Sequence, residues 1–408
     1  MGEFVSEAEL QGVKHMDDND GIRDFSQPIR FDLQTGKPKK TVDIGRDGTS
    51  LSLDPYGRIL QASTFHPVHG IVVAVPFAQF DGSQFHCPAY VRSYRKRMLQ
   101  CIQDDGPGLG FDIGSRVDQV WVNIPEANVA TFTFSVDTSI DIFLRVEVLE
   151  GGDILQSVIA TNMSSKSADL LWSVNLSASL NRASYGQLTE GGPIPLPRSH
   201  NVLLPGSYDR VNIVNPDLGA QLAFSFDTDD INQPSGWPSN GLETYDHPLD
   251  LRIPQRLHLT PLSSHTIDCK FRLLPHTQPH SFTSLPRKPQ IHPKNSDHNT
   301  SPSPSPSPWK QPTTPTTYIL RRATDYILSA CTIPVSPLAT CIITDHVALP
   351  LGWNRDNYWQ LRLLEASSHL GVLSSRKTTR VLASVVPGDG EAEGWRGVPI
   401  GSAVLSVA

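Results

Sequence analysis

The sequence predicts a mainly β protein, an antiparallel sandwich followed by a linker and an incomplete α/α helical domain. Three observations carry that reading. Strand-length apolar runs recur between turn signals from residue 41 to 275. A Ser-Pro repeat at 301–308 removes amide donors and favours an extended chain without a core. Immediately after it, the apolar period changes from two to that of a helix.

In chain order, residues 1–40 are polar and charged, with Asp17-Asp18-Asn19-Asp20 and Gly36-Lys37-Pro38-Lys39-Lys40, and are expected to form a weakly ordered lead-in. Residues 41–275 are read as the β domain. Its expected strands include 51–53, 71–75, 120–122, 131–136, 140–148, 155–161, 170–180, 211–214, 221–226, 257–260 and 266–273. In Asp141-Ile142-Phe143-Leu144-Arg145-Val146-Glu147-Val148 the alternation puts apolar side chains on one sheet face. Asp54-Pro55-Tyr56-Gly57, Glu150-Gly151-Gly152-Asp153 and Glu190-Gly191-Gly192-Pro193 are turn material, and 162–167 reads as a hairpin loop. The stretch 88–99 breaks the pattern as a short basic helix or extended arm. Residues 276–317 form the Pro/Ser-rich linker. A helix is expected over 318–331 and a second over about 354–370, within a helical segment of 318–383, and the Gly-rich residues 384–408 are expected to be a poorly structured tail.

Composition narrows the class. The 408 residues are 38% hydrophobic, enough for two to three domains with real cores. Thirty-four basic against 41 acidic residues leave a net charge of −7, which argues against a nucleic-acid or anionic-membrane partner. Cys87, Cys101, Cys269, Cys331 and Cys341 are sparse and show no zinc spacing, as in a reducing compartment. No basic region precedes an apolar run at the N-terminus, and no segment reaches the length of a membrane helix, so a cytoplasmic location is expected.

The sharpest local signal is Leu349-Pro350-Leu351-Gly352-Trp353-Asn354-Arg355-Asp356-Asn357-Tyr358-Trp359. Pro350 and Gly352 make a turn, and Asn354 can cap the helix that follows. Trp353 offers a flat apolar face, Arg355 a planar fork of donors, and Asp356 an acceptor. A sugar ring asks for this set, since its C–H face stacks and its vicinal hydroxyls take paired hydrogen bonds. The same residues also fit an Arg–Asp pair and buried aromatics that only fix a helix start. Elsewhere there is no GxSxG, P-loop, HExxH or GxGxxG in a βαβ setting. His66 with His69, His276 with His280, and Asp227 to Asp230 are read as polar loops rather than metal ligands.

An antiparallel β domain, a linker, an opening helix and then Trp353-x-Arg355-Asp356 resemble the six-hairpin glycosidases, the glucoamylase-like group in which a β-supersandwich precedes an (α/α)6 barrel. The stretch Asp47-Gly48-Thr49-Ser50-Leu51-Ser52-Leu53-Asp54-Pro55-Tyr56-Gly57-Arg58-Ile59 looks like that group's first hairpin, while Tyr208-Asp209-Arg210-Val211 and Leu259 to His265 look like its later strands. The resemblance spans roughly residues 41 to 370. It implies that Arg355 and Asp356 bind the sugar beside a stacking or packing Trp353, that the ligand is a carbohydrate or glycoside, and that the chemistry needs water and two carboxyls without a metal or cofactor. Hydrolysis, carbohydrate binding without turnover, and recruitment to other small-molecule chemistry all stay open. A complete barrel needs well over 200 residues at about twelve per helix, whereas roughly 90 follow the linker. A truncated coding sequence is therefore expected, with exposed helix faces that promote association. Beyond Asp356 the acidic residues are Glu365, Asp389, Glu391 and Glu393, none of which is assigned as acid or base.

Overall fold

The computed structural model describes residues 29–32, 42–66, 70–75, 108–113, 117, 119–137, 139–182, 200–217, 219–227, 234–245, 248–274, 315–336, 339–342, 360, 363, 381–384 and 402–405. Its elements begin with β1 (Ile29–Asp32), β2 (Val42–Arg46), β3 (Thr49–Leu53), β4 (Ile59–His66), β5 (Gly70–Val75), β6 (Leu109–Asp112) and β7 (Gln119–Glu126). There follow β8 (Val129–Val136), β9 (Ile140–Val148), β10 (Asp153–Asn162), β11 (Ala168–Leu176), β12 (Ser179–Arg182) and β13 (His200–Leu203). The β region ends with β14 (Arg210–Asn215), β15 (Ala220–Asp227), β16 (Leu242–Tyr245), β17 (Arg252–Leu259) and β18 (Ser264–Leu274). Helix α1 (Pro315–Ser329) precedes β19 (Thr332–Ser336), β20 (Ala339–Ile342), β21 (Val381–Ser384) and β22 (Ser402–Leu405).

Two antiparallel sheets make the body. Sheet A runs β1-β7-β8-β9-β10-β18-β15-β14-β13-β16, and sheet B runs β12-β5-β4-β6-β11-β17 with β2 and β3 hydrogen-bonded beside β4. Turn chemistry sets the registers. Asp47 and Gly48 both have positive φ (51° and 85°) in the two-residue link between β2 and β3, the arrangement that matches strand twist. Gly151 and Gly152 at 82° and 85° turn β9 into β10, closed by the Leu149 amide donating to the Asp153 carbonyl at 2.7 Å. In the loop after β10, the Asn162 side chain donates to the carbonyls of Lys166 (2.8 Å), Thr260 (3.0 Å) and Leu259 (3.2 Å), while its oxygen accepts from Ser164. Asn162 is fully buried and Asn175 nearly so.

Period-2 alternation does the rest. The inner faces of both sheets join in one core, with Phe132, Ile142, Leu144 and Phe271 from sheet A and Leu51, Ile59, Leu109 and Phe111 from sheet B. Rings bridge the layers: Trp172 on β11 stacks on Phe111 at 5.5 Å and meets the edge of Phe226 at 6.5 Å, and Phe226 meets Phe224 at 4.6 Å. Cys269 lies in this core, where burial and then the Asp268 charge push its thiol up, so it is an inert packing group.

One polar side chain enters the apolar interior. Gln156 is fully buried, accepts from the Phe111 amide at 2.8 Å and donates to the Gly57 carbonyl at 3.0 Å, tying the centre of sheet A to β6 and to the β3–β4 turn of sheet B. Gly110 at φ 100° leaves room for it, since a Cβ there would stand 2.2 Å from the Gln156 oxygen. Gln156→Leu strands two buried backbone groups, and urea denaturation is expected to show a loss of about 1–3 kcal/mol; an unchanged midpoint would mean that solvent reaches them.

The strands expected from sequence appear, several of them longer at the ends, and 170–180 divides into β11 and β12. Three expectations change. The loop 162–167 closes no hairpin but crosses between the layers, since β10 lies in sheet A and β11 in sheet B. Ile29–Asp32, inside the supposed weakly ordered lead-in, pairs with β7 as β1; the alternating Ile29 and Phe31 supply the pattern that surrounding charge conceals. Within the expected helical segment, α1 covers the first helix, but the chain then becomes β19 and β20. These join β21 and β22 in a four-stranded sheet, so the supposedly unstructured tail contributes a strand. The basic segment 88–99 and most of the linker lie outside the described residues. No helix among the described residues is long and apolar enough to cross a membrane.

Candidate functional site

Trp353, Arg355 and Asp356 lie outside the described residues. Downstream of them, Leu363 packs with Ile327 and Leu328 of α1 and with Ile342 of β20. Helix α1 in turn sits against β2. Gly45 permits that approach, because a Cβ there would stand 2.9 Å from the Ser329 carbonyl oxygen. The Ser50 hydroxyl donates to the Ala330 carbonyl at 2.8 Å, and Thr332 donates to the Ile327 carbonyl at 2.6 Å to close the helix end. Gly45 and Ser50 belong to the face of sheet B that points away from the core. The first helical element therefore docks on that outer face.

Around β11 the same face carries mainly polar side chains. On β11, Leu170, Trp172, Val174 and Leu176 face the core, so Asp169, Leu171, Ser173 and Asn175 face outwards. Registers place Ser173 opposite Asp112 of β6 and Asn175 opposite Arg252 of β17. A continuous chain of contacts results. The Arg58 Nε donates to Asp54 at 2.6 Å, its Nη1 stands 3.9 Å from Asp112, and Asp112 accepts from the Asn175 amide at 2.9 Å. Ser173 donates to the Asn175 oxygen at 3.2 Å, and the Arg252 Nε donates to Ser173 at 3.0 Å. Polar groups thus run from a sealed guanidinium to an exposed one.

The two ends differ in burial. The Arg58 and Asp54 side chains are 9% and 2% exposed. Asp54 also accepts from the amides of Tyr56 and Arg58, both at 2.9 Å, which makes it the clamp of the Asp54-Pro55-Tyr56-Gly57 turn. Burial alone would push the Arg58 guanidinium down, but the charges of Asp54 and Asp112 and the Asp54 hydrogen bond outweigh it and hold it above its ordinary value. The Tyr56 ring lies 5.5 Å from its carbon. That end is structural.

The other end is open. Leu171 is 65% exposed and lies opposite Arg256, while Asp169 lies opposite His258. Hydrogen bonds from Arg256 and then His258 hold the Asp169 carboxyl below its ordinary range. A lowered value means that whatever this cluster contributes is present above the ordinary carboxylate range and disappears as pH falls through the lowered one. Between the ends, Asp112 and Arg252 present an acceptor and a planar donor fork with Asn175 and Ser173 as fixed intermediaries. Paired donors and acceptors held on a rigid sheet suit a ligand rich in hydroxyls. Sequence reasoning passed over Arg58, Asp112, Ser173, Asn175 and Arg252; alternation through 170–176 was the signal that could have found the middle ones. Among the described residues, no three His, Cys, Asp or Glu side chains converge to hold a metal ion.

No family model matches the chain, and no curated protein matches it in sequence. Among solved structures, it is similar to the Slr1438 protein of Synechocystis, at 12% identity over 60% of this chain and 99% of that one, with a TM-score of 0.34. It is also similar to a GalM/aldose epimerase homologue from C. elegans, at 9% identity over 59% of this chain and 100% of that one, with a TM-score of 0.34. A 4-alpha-glucanotransferase from Thermococcus litoralis is similar over 61% of this chain and 40% of its own, at 9% identity and a TM-score of 0.31.

Proposed function

We propose that the chain is a glycoside hydrolase-like protein that binds a carbohydrate against the outer face of sheet B. The supporting observation is the polar relay from Asp54 and Arg58 through Asp112, Asn175 and Ser173 to Arg252, on the same face that receives α1. In this reading Arg355 and Asp356 complete the sugar contacts and Trp353 supplies a stacking face, as the six-hairpin resemblance implies. In this reading α1 corresponds to the opening helix of that group's helical domain. Turnover by an inverting route would require two carboxyls about 6.5–9.5 Å apart, one protonating the leaving oxygen and one activating water.

A panel of monosaccharides and aryl glycosides, followed by calorimetry and aglycone release, tests this. Binding is expected, and Asn175→Ala or Arg252→Ala is expected to weaken it about tenfold by removing one hydrogen-bonded link. Asp356→Ala is expected to abolish it. Release of aglycone would make the protein a hydrolase, and binding without release would make it a carbohydrate-binding relative. Wild-type protein that binds no member of the panel, or variants that bind as wild type, would reject the site.

A further inference from the structure

Strands β7, β8, β9, β10 and β18 lie side by side in sheet A. Their registers set Trp121 opposite Thr133, Thr133 opposite Phe143, Phe143 opposite Ile159, and Ile159 opposite Thr266. The flanking Val122, Phe132, Ile142 and Val158 are buried in the core, so this row points outwards to solvent. Trp121 is 45% exposed, Phe143 40% and Ile159 37%. Single exposed apolar residues are ordinary, but three large ones in one cross-strand row make a continuous strip.

The strip has the geometry of a stacking platform. Neighbouring strands are about 4.8 Å apart, which puts Trp121 and Phe143, two strands from each other, roughly 10 Å apart. That spacing suits two pyranose rings of an extended glycan, with the Thr133 hydroxyl between them. Charges of both signs flank the strip: Arg145 holds Glu147 at 2.8 Å, Asp141 and Asp268 accept from Ser135 (2.6 Å) and Ser157 and keep their charge, and Arg30 of β1 stands opposite Trp121 in register. A surface with hydroxyls and interspersed charges of both signs offers no single-sign field to a polyanion or polycation, which favours an uncharged, hydroxyl-rich polymer.

We propose that the row of Trp121, Phe143 and Ile159 on the outer face of sheet A is a second carbohydrate-binding surface, which takes an uncharged, extended polysaccharide chain laid across the strands. It lies on the opposite side of the sandwich from the polar face of sheet B and uses none of residues 349–359. C–H faces of alternate sugar rings stack on Trp121 and Phe143, and the sheet holds both rings fixed before the ligand arrives.

The full chain is mixed with microcrystalline cellulose, chitin and mannan, and the bound fraction is measured by sedimentation. Retention on at least one is expected. Trp121→Ala and Phe143→Ala are each expected to weaken it at least about tenfold with an unchanged thermal midpoint, because both sites face solvent. Wild-type protein left free by all three polymers, or ring variants retained as well as wild type, overturns the proposal. So does a wild-type dimer that ignores the polymers and is dispersed by Trp121→Ala, since the strip is then a contact between two copies.

Discussion

Asp54→Ala is expected to destabilise the protein by about 3–5 kcal/mol, read as a shift of the urea midpoint. The substitution removes the 2.6 Å ion-pair partner of an almost fully buried guanidinium, which is left beside Asp112 at 3.9 Å. Arg58 has no escape through deprotonation, because its neighbours hold it above an already high value. The turn also loses the acceptor for the Tyr56 and Arg58 amides. Adding Arg58→Met to Asp54→Ala removes the stranded charge, so the double variant is expected to recover part of the loss. A single variant as stable as wild type would show that water reaches the Arg58 head group.

Gly57→Ala is expected to lose about 2–4 kcal/mol in the same measurement. Its φ of 82° strains any residue with a side chain by about 1–2 kcal/mol. The added Cβ would also stand 2.4 Å from Leu144 Cδ2 and 2.9 Å from Phe132 Cδ2, both buried in the core. Overpacking of that kind costs about 1–3 kcal/mol. Gly151→Ala is the control. It has the same φ of 82° but nothing within 4 Å, so only the backbone strain should register. Equal losses at the two positions would remove packing from the account.

These two expectations sit three residues apart in a turn that sequence reading marked correctly, for a reason that reading did not contain. Asp-Pro-x-Gly announces a reversal from local chemistry alone. That Gly57 touches sheet A, and that Arg58 is sealed by Asp112, depends on contacts between strands far apart in the chain. Local pattern sufficed for β9, whose alternation is unbroken, and for α1, whose apolar period is clear. It failed at Ile29–Asp32, where four residues of alternation are outweighed by charged neighbours, and at β12, where Ser177 and Ala178 divide one continuous alternating run. The polar relay was illegible because its members come from four separate segments, and only register brings Ser173 opposite Asp112. Trp353, Arg355 and Asp356 stand out in sequence yet lie outside the described residues, so they enter the account through the resemblance and the proposal alone.

The placement of β18 bears on how the chain comes together. Arg272 pairs with Asp153 and Leu222 with Leu273, so the middle of sheet A is filled by a segment translated after both of its neighbours. Sheet B also closes late, at its edge, where Leu259 of β17 comes back to Ala168 of β11. Contacts this distant in sequence make for slow assembly, since chain closure must precede any reward. Until residue 274 leaves the ribosome, β10 and β15 present bare apolar-patterned edges, the kind that recruit other chains. Synthesis and refolding are thus the stages at which this protein is most exposed to aggregation, and chaperone capture of the nascent β10 edge would protect it there.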